Sequence, residues 1–394
     1  MPNSSRVNFS PIKVIHSTPV WLPQTMTWLC NQVRYLPHAI ESHIVCEKTE
    51  NLDQFYLPNI HVIPKKSLLN RYGCSGMKGA KPLARLFWLW KMCRKIKPDI
   101  VHSHFGTTGW FDSLVVRLTR AKHVVTFYGL DVNMVPVQDP RWKSCYKALF
   151  KSADLFLCEG PHMAQCLITM GCPQDKVKVQ HLGVEVKKIP FKPRKWKLGE
   201  PLRVLIAASF REKKGIPYAL ETLGRLQNEV DLEITIIGDA LPEPRSQSEK
   251  QKILQVIEKY GLQPKTRMLG FQPYSVLMEQ AYKHHIFLSP SVTATDGDTE
   301  GGAPVSIIEL SASGMPILST THCDIPEIVI DGVSGYLVPE RDVTALADKL
   351  NFLVSNPDMW IQMGRQGRHH IEKNYNVKNQ AHRLGKIYDE VVKF

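Results

Sequence analysis

The feature that most constrains this chain is an alternation of short apolar runs with helix-like segments, which occurs twice along its length. In the first half, runs rich in Val and Ile at residues 12–18, 99–105 and 123–129 are separated by longer amphipathic segments. Runs of this kind are typical of strands buried in a parallel sheet. The alternation therefore predicts an α/β fold with helices on both faces of each sheet.

The alternation stops at residues 186–201, where three prolines and many charges indicate a linker, and it then starts again. A chain of 394 residues has the length of two ordinary domains. We therefore expect two doubly wound domains that face each other across a cleft. Ligands of such sheets bind beyond the carboxyl ends of the strands.

Composition bears on where the protein works. The sequence lacks a run of about 18 apolar residues that would suggest a membrane-spanning helix, and its first residues lack the pattern of a signal peptide. Its nine cysteines show no metal-ligand spacing and indicate buried thiols in a reducing compartment. We expect a cytoplasmic protein without a disulfide framework or a zinc site.

Positive charge is concentrated in the first half. Residues 1–200 hold 29 Lys and Arg against 13 Asp and Glu, a net charge of +16, whereas residues 201–394 carry −3. Such asymmetry indicates an anionic partner, which is nucleic acid, a membrane surface or a phosphorylated substrate. Segment 78–98 interleaves aromatic and basic residues, which is typical of an amphipathic helix packed on a sheet or of one resting on an anionic membrane. We hypothesise that the first domain docks peripherally on the inner face of the cell membrane.

Two acids flank a turn of small residues in the second half, in the stretch EGGAPVSIIE. Glu300 precedes the turn, and Glu309 follows it by more than one helical turn. Small residues let a ligand approach the backbone, and the free amides of a helix start suit phosphate. The predicted phosphate-binding turn comprises Gly301, Gly302, Ala303 and Pro304, with the proline in the first helical turn. The alternative interpretation is a pair of solvated charges near a helix N-terminus.

Loops after two other predicted strands supply further candidates. Lys214 precedes Gly215 at a strand-to-helix turn, where its charge is well placed to neutralise a diphosphate; the alternative is a solvated basic loop. Gly238 ends the run 232–237 at a point where a ligand can approach the backbone.

Taken together, these segments resemble a known family. KKG, IIGD, EGGAPVSIIE, SGMPILST, IPEIVIDGVSGYLV and RDVTALADKL occur in the order found in retaining glycosyltransferases of family 4, and DIVHSHFGTTG, VVTFYGLDV and LGVEV are similar to its first half. The resemblance covers nearly the whole chain. It implies the GT-B fold, with an acceptor-binding Rossmann-like domain over 1–190, a donor-binding one over 200–377, and a last segment, about 378–394, that crosses back to the first.

The resemblance also implies an activity and its residues. A sugar moves from a nucleotide diphosphate sugar to a glycan or lipid-linked acceptor hydroxyl with its anomeric configuration kept, without a cofactor or metal. Lys214 resembles the family's diphosphate-binding lysine, Glu309 its ribose-binding glutamate, and Glu300 the glutamate near the donor sugar. The backbone of Gly302, Ala303, Pro304, Val305 and Ser306 is implied to hold phosphate and sugar hydroxyls.

Three positions depart from the family pattern. Eight residues instead of seven separate Glu300 from Glu309, so one extra residue lies in the turn. Ser209 stands where many relatives have an arginine, and Arg211 is the candidate substitute. Tyr128 stands where the first domain often has a histidine, and its hydroxyl can donate a hydrogen bond to the donor sugar without carrying a charge.

Other polar residues suggest metal or catalytic roles. Asp296 and Asp298 form a DGD triplet like the metal-binding motif of another glycosyltransferase architecture, but we expect a turn there and no metal. His102 and His104 share one face of a strand, although no third ligand is visible, and we expect a structural or substrate-binding role. The catalytic candidates are therefore Glu300, Tyr128, His104 and Asp131.

Three rival functions remain open at this point. A nucleotide-sugar epimerase or a phosphorylase has the same architecture and differs in its products. A nucleic-acid-binding protein would fit the charge, but the sequence has no RNA-recognition motif, zinc-finger spacing or basic tail, so we expect no nucleic acid. A dinucleotide-dependent dehydrogenase would fit the fold, but no GxGxxG follows the first predicted strand.

Overall fold

The protein contains two separate parallel sheets, one in each half of the chain. The structure, a computed structural model, describes residues 10–22, 26–64 and 80–393. The first sheet has seven parallel strands in the order β3-β2-β1-β4-β5-β6-β7. Their bounds are β1 Ile12–Trp21, β2 Ile40–Thr49, β3 Ile60–Val62, β4 Ile100–His104, β5 Lys122–Thr126, β6 Leu155–Cys158 and β7 Val177–Val179.

Helices alternate with these strands. They are α1 Thr27–Arg34, α2 Leu52–Phe55, α3 Ala80–Ile96, α4 Gly106–Thr119, α5 Val135–Gln138, α6 Arg141–Ser152 and α7 Pro161–Thr169. A π-helical turn spans Leu130–Met134, and single 3₁₀ turns span Gln174–Lys176 and Val186–Lys188.

The second sheet has six parallel strands in the order β10-β9-β8-β11-β12-β13. Their bounds are β8 Leu202–Ala207, β9 Leu232–Ile237, β10 Thr266–Met268, β11 Ile286–Ser289, β12 Ile317–Thr320 and β13 Gly335–Val338. The helices are α8 Ile216–Leu226, α9 Pro244–Lys259, α10 Tyr274–Lys283, α11 Val305–Ala312, α12 Val343–Ser355, α13 Trp360–Asn374 and α14 Val377–Lys393. Single 3₁₀ turns span Glu212–Lys214, Gln263–Lys265, Ile325–Glu327 and Pro357–Met359.

Both faces of the second sheet are covered at its centre, which explains why β8 and β11 are mostly apolar. Val204 and Ile206 belong to one core cluster, and Leu205 between them belongs to the cluster on the opposite face. Successive side chains of a strand point to opposite faces, so the central strands of a sheet covered on both sides are enriched in apolar residues on both faces. The predicted α/β architecture of two Rossmann-like sheets is confirmed.

The last helix returns to the first sheet. Leu384, Ile387, Tyr388 and Val391 of α14 share a core cluster with strand residues that include Val14 of β1. This spacing places the four side chains on one face of the helix. The crossing thereby packs the last described helix against the sheet that contains β1, while the domain limits at 190, 200 and 377 stay a prediction.

The segment predicted as a linker is fixed to the second half. Arg194 is 5% exposed, and its guanidinium donates to the carbonyl oxygens of Ser313, Ala281 and His284. Within the described parts of the chain, every helix is too short or too polar to cross a bilayer.

Candidate functional site

The predicted turn lies at the boundary between the two sheets. It belongs to the loop that joins β11 to α11, beyond the carboxyl end of the second sheet. Gly301 has a φ of +78°, and a Cβ at this position would stand 2.2 Å from the Cα of Gly129, in the loop after β5. Gly129 itself has a φ of +99°. Only glycine allows both these backbone angles and this backbone contact.

Amides of the turn are free to bind a ligand. Helix α11 begins at Val305, so Pro304 is its cap residue and lies just outside the first helical turn in which we expected it. The backbone amides of Gly302, Ala303, Val305 and Ser306 donate no hydrogen bond to any residue that the structure describes. Unbonded amides at a helix start attract anions, which makes the turn suitable for phosphate oxygens.

Lys214 and Glu300 form an ion pair beside this turn. Lys214 Nζ lies 2.7 Å from Glu300 Oε2, and Ser291 Oγ donates to Glu300 Oε1 at 2.7 Å. The side chains are 19% and 6% exposed. Burial acts to raise the pKa of Glu300, but Lys214, Lys213 and the hydrogen bonds outweigh it and lower the pKa to about 2. Glu300 is therefore ionised at neutral pH.

Gly215 explains how Lys214 reaches this position. Its φ is +63°, and a Cβ there would stand 1.9 Å from the carbonyl oxygen of Pro290, just after β11. The loop that carries Lys214 is therefore pressed against the end of β11. This close approach places the lysine next to the loop from β11 to α11.

Neighbouring basic residues bind acids of the same loop. Lys213 Nζ donates to Asp298 Oδ1 at 3.0 Å and to the carbonyl oxygen of Thr299 at 2.7 Å. Arg211 lies 3.2 Å from Glu243 and 3.7 Å from Asp298. The Arg211 guanidinium is therefore paired with these two acids, and its role in donor binding stays a prediction.

Glu309 lies on α11, half-buried, and the hydroxyl of Tyr274 donates a hydrogen bond to it. Burial raises the pKa of Glu309 to about 7, although the hydrogen bond opposes the shift. A carboxyl group with this pKa changes its charge near neutral pH.

Gly238 follows β9 and packs against the end of β8. Its φ is +126°, and a Cβ would stand 1.9 Å from the carbonyl oxygen of Ala208. The glycine is thus required for the packing of two strand ends, and its contact with a ligand stays a prediction.

The catalytic candidates of the first half form one hydrogen-bonded group. Tyr128 is 9% exposed, and its hydroxyl lies 2.7 Å from His104 Nδ1. Asp131 accepts hydrogen bonds from the amides of Tyr128 at 3.0 Å and Gly106 at 2.6 Å. Burial raises the pKa of Asp131 to about 6 against the effect of these amides. Asp131 thus orders the loop, and His104 holds the hydroxyl of Tyr128. Tyr128 approaches the turn through its backbone, since a Cβ on Gly301 would stand 3.1 Å from its carbonyl oxygen.

A third histidine completes the cluster that the sequence shows in part. Single ring nitrogens of His16, His102 and His104 lie within 4.8 Å of one another. His16 is in register with His102 across the neighbouring strands β1 and β4. This strand register would have identified His16 as a member of the cluster if β1 and β4 had been known to be neighbours.

The three imidazoles are engaged as a hydrogen-bonded network. His102 contacts the hydroxyls of Tyr388 and Thr126, each at 2.6 Å, and His104 Nε2 lies 3.1 Å from His16 Nδ1. Burial lowers the pKa of all three, so they are neutral. Of the six ring nitrogens, only His16 Nε2 lacks a partner among the described residues. The cluster therefore offers one free nitrogen, and a metal would have to displace these hydrogen bonds.

Two acids at the boundary were not found from the sequence. Asp324, after β12, accepts a hydrogen bond from the amide of His162 at 2.7 Å and so caps α7 of the first half. Glu159, after β6, lies against Gly302, where a Cβ would stand 1.8 Å from its Oε2. No sequence motif marks either residue, because the contacts of each are with residues of the opposite half of the chain.

Two Rossmann-like sheets that meet at such a turn are the architecture of GT-B glycosyltransferases. Comparison with protein families gives two matches that together span most of the chain: Glycosyltransferase Family 4 over residues 27–188, and Glycosyl transferases group 1 over residues 188–370. The chain belongs to glycosyltransferase family 4, as its sequence motifs predict.

Similar proteins agree with this assignment. The chain is 32% identical over 296 residues to the amylovoran biosynthesis glycosyltransferase AmsK of Erwinia amylovora, covering 74% of this chain and 70% of AmsK. It is 33% identical over 285 residues to WcaL of Escherichia coli, a candidate colanic acid biosynthesis glycosyltransferase, covering 71% of this chain and 68% of WcaL.

Solved structures of other proteins are similar to this protein over nearly the whole length of its chain. A glycosyltransferase from Rickettsia africae aligns with a TM-score of 0.77 and 18% identity, covering 98% of this chain and all (100%) of that one. Anabaena HepE in complex with UDP and glucose aligns with a TM-score of 0.77 and 14% identity, covering 96% of this chain and 100% of HepE. At these identities the likeness shows the fold.

Proposed function

We propose that this protein transfers a sugar from a nucleoside diphosphate sugar to an acceptor hydroxyl, with retention and without a metal. The observation that carries the proposal is the Lys214–Glu300 ion pair, 2.7 Å long, beside a turn whose amides are unbonded among the described residues. Cleavage of a sugar–phosphate bond develops negative charge on the leaving diphosphate. Fixed amide donors and a half-buried ammonium group stabilise such charge.

Glu300 has an orienting role in this proposal. Because it is ionised and bound to Lys214 and Ser291, it cannot donate a proton at neutral pH. It holds the ammonium group of Lys214 at the turn, and it accepts hydrogen bonds from sugar hydroxyls. This role tolerates the extra residue between Glu300 and Glu309, since contact with Lys214 needs no fixed spacing to α11.

The second half binds the nucleoside, and the first half completes the sugar site. Glu309 accepts hydrogen bonds from ribose hydroxyls when it is ionised. Tyr128, supported by His104, faces the transferred sugar. Contacts between the halves at Gly129, Glu159 and Asp324 exclude water, which limits hydrolysis of the donor.

The acceptor belongs to cell-surface polysaccharide synthesis. AmsK and WcaL are named for amylovoran and colanic acid biosynthesis, and both share about a third of their aligned residues with this chain. We infer that the acceptor is a lipid-linked glycan at the inner face of the cell membrane, where the protein is bound peripherally.

Helix α3 supplies the membrane-binding surface. Leu83, Phe87 and Trp90, the α3 stripe, lie on one helical face and are 62%, 51% and 36% exposed. The guanidinium of Arg94 lies 5.4 Å from the centre of the Trp90 ring. Exposed aromatic residues next to basic ones are typical of helices that lie in the interface of an anionic membrane.

Vesicle binding tests this surface. Phe87→Ser with Trp90→Ser should reduce co-sedimentation with phosphatidylglycerol vesicles at low salt by about fivefold or more. The matched control is Leu254→Ser with Phe352→Ser, which removes two exposed apolar side chains, 39% and 44% exposed, from the second half. Equal sedimentation of both double variants and the unchanged protein would contradict the proposal.

Product analysis tests the reaction. Purified protein is incubated with UDP-, GDP- and ADP-sugars and with lipid-linked oligosaccharides from bacterial membranes. The proposal predicts one glycosylated lipid product, whose anomeric proton coupling in NMR matches that of the donor. An isomerised nucleotide sugar formed without acceptor would instead identify an epimerase.

A further inference from the structure

Glu159 is a buried acid to which the mechanism above assigns no contact with a substrate. It follows β6 and is 8% exposed, and its carboxyl group makes no hydrogen bond or ion pair with the residues that the structure describes. Its oxygens are not among the completely buried atoms that lack a partner, so they keep some contact with solvent. A mostly buried acid whose unpaired oxygens still reach solvent can receive a hydrogen bond from a ligand.

Nearby acids all have partners. Asp324 caps α7, Asp131 binds the amides of Gly106 and Tyr128, and Glu300 binds Lys214. These contacts compensate each of the three acids for its burial. Glu159 stands among them without such a contact.

The side chain of Glu159 is directed at the turn of the other half. A Cβ on Gly302 would stand 1.8 Å from its Oε2 and 2.6 Å from its Cβ. Glycine at 302 is therefore needed to accommodate the acid. The carboxyl group lies next to the amides that are free to bind the donor.

Its charge state suits a sugar better than a cation. Burial raises the pKa of Glu159 well above its usual range, and the carboxylates of Asp324, Asp131 and Glu300 raise it further against the effect of Lys213. The raised pKa favours the protonated form, which offers one O–H donor and one carbonyl acceptor. A neutral group can lie near a diphosphate without repelling it, and it can both donate to and accept from a hydroxyl.

We propose that Glu159 is a sugar-binding residue, whose carboxyl group hydrogen-bonds a hydroxyl of the sugar held at Gly302. This inference rests on the proposed function, since it concerns the same donor. The nucleoside and diphosphate are bound by the second half. Glu159 therefore contributes to affinity for the sugar and not to affinity for the nucleoside diphosphate.

Paired titrations separate these contributions. Dissociation constants are measured calorimetrically for UDP with UDP-glucose, GDP with GDP-mannose and ADP with ADP-glucose, for the unchanged protein, Glu159→Ala and Glu159→Gln. Glu159→Ala should weaken the nucleotide sugar about tenfold and leave the nucleoside diphosphate within about twofold. Glu159→Gln, which keeps a donor and an acceptor, should recover most of the loss. Glu279→Gln, on the exposed face of α10, is the control that should change neither.

Three results would overturn the proposal. Equal weakening of both ligands in Glu159→Ala and Glu159→Gln would show that the acid only supports the fold of the boundary. Unchanged affinity for both ligands in folded Glu159→Ala would show that no sugar contact exists. Failure of the unchanged protein to bind any nucleoside diphosphate or nucleotide sugar would refute the proposed function itself, and this inference with it.

Discussion

Gly129 and Gly301 lie backbone against backbone across the boundary between the two sheets. A Cβ on Gly129 would stand 2.5 Å from the Cα of Gly301, and a Cβ on Gly301 would stand 2.2 Å from the Cα of Gly129. Real Cβ atoms do not approach other heavy atoms so closely. Each half of the protein therefore restricts the sequence of the other at the point where we place the transferred sugar.

Gly129→Ala should separate the two halves and lower kcat for sugar transfer by about 100-fold, because misplacement of about 1 Å at a reacting centre has effects of this size. Gly171→Ala is the matched control: its φ of +96° is almost that of Gly129 at +99°, but nothing lies within 4 Å of its added Cβ. Both variants should lose about 1–2 kcal/mol of stability from backbone strain. Equal kcat values in the two variants would show that the glycine contact has no role in catalysis.

Asp324→Ala should weaken both the cap of α7 and the transfer reaction. Replacement of a capping acid by alanine reduces the free energy of unfolding by about 0.5–2 kcal/mol. Asp342 caps α12 within the second half by accepting from the amide of Ala345 at 2.9 Å, so Asp342→Ala should have a similar effect on stability. Urea unfolding and transfer kinetics distinguish them: only Asp324→Ala should lower the rate. An unchanged transfer rate in Asp324→Ala would show that this cap does not contribute to domain closure.

The Lys214–Glu300 pair should make stability depend on pH. The pKa of Glu300 is lowered from its ordinary 4.5 to about 2, so its stabilising effect is present above about 4.5 and is lost as pH falls towards about 2. The contribution is on the order of 3 kcal/mol. Lys214→Met should remove much of it at pH 7, and the difference from the unchanged protein should shrink below pH 4. Urea unfolding from pH 7 to pH 2.5 measures this.

Lys283→Met is the control for that experiment. Lys283 pairs with Glu279 on the surface, where both side chains are more than half exposed (59% and 58%). Exposed pairs contribute about 0–1 kcal/mol, so this variant should follow the unchanged protein at every pH. A constant stability difference for Lys214→Met across the pH range would contradict the ion-pair account.

Affinity for the nucleotide should rise with pH through Glu309. Its pKa is raised to about 7 by burial, and only the ionised form is a full acceptor for ribose hydroxyls. Binding should therefore tighten as pH rises from 6 to 8, and Glu309→Gln should abolish this change. Tyr274→Phe removes a hydrogen bond that lowers the pKa, so it should shift the profile to higher pH. Calorimetric titration at several pH values checks both. An unchanged profile in Glu309→Gln would place the titrating group elsewhere.

The sequence predicts those features that depend on local order along the chain. The alternation of runs predicts both sheets, and the KKG and EGGAPVSIIE segments predict that Lys214 and Glu300 belong to one site. Asp324, Glu159 and His16 escape such prediction, because their partners lie in other strands or in the other half. Arg211 shows how partners remote in sequence matter: its position near the family lysine suggests a diphosphate contact, and the structure adds ion pairs with Glu243 and Asp298 that the motif does not indicate.

The most direct test of the account is the binding of nucleoside diphosphates to the unchanged protein and to Lys214→Ala. UDP, GDP and ADP are each added during thermal unfolding, with NAD as the control for a dehydrogenase. One diphosphate, at about 100 times its dissociation constant, should stabilise the unchanged protein by roughly 2.7 kcal/mol and Lys214→Ala far less. Stabilisation by NAD alone, or equal stabilisation of both proteins, would contradict the placement of a nucleotide-sugar donor at the glycine turn.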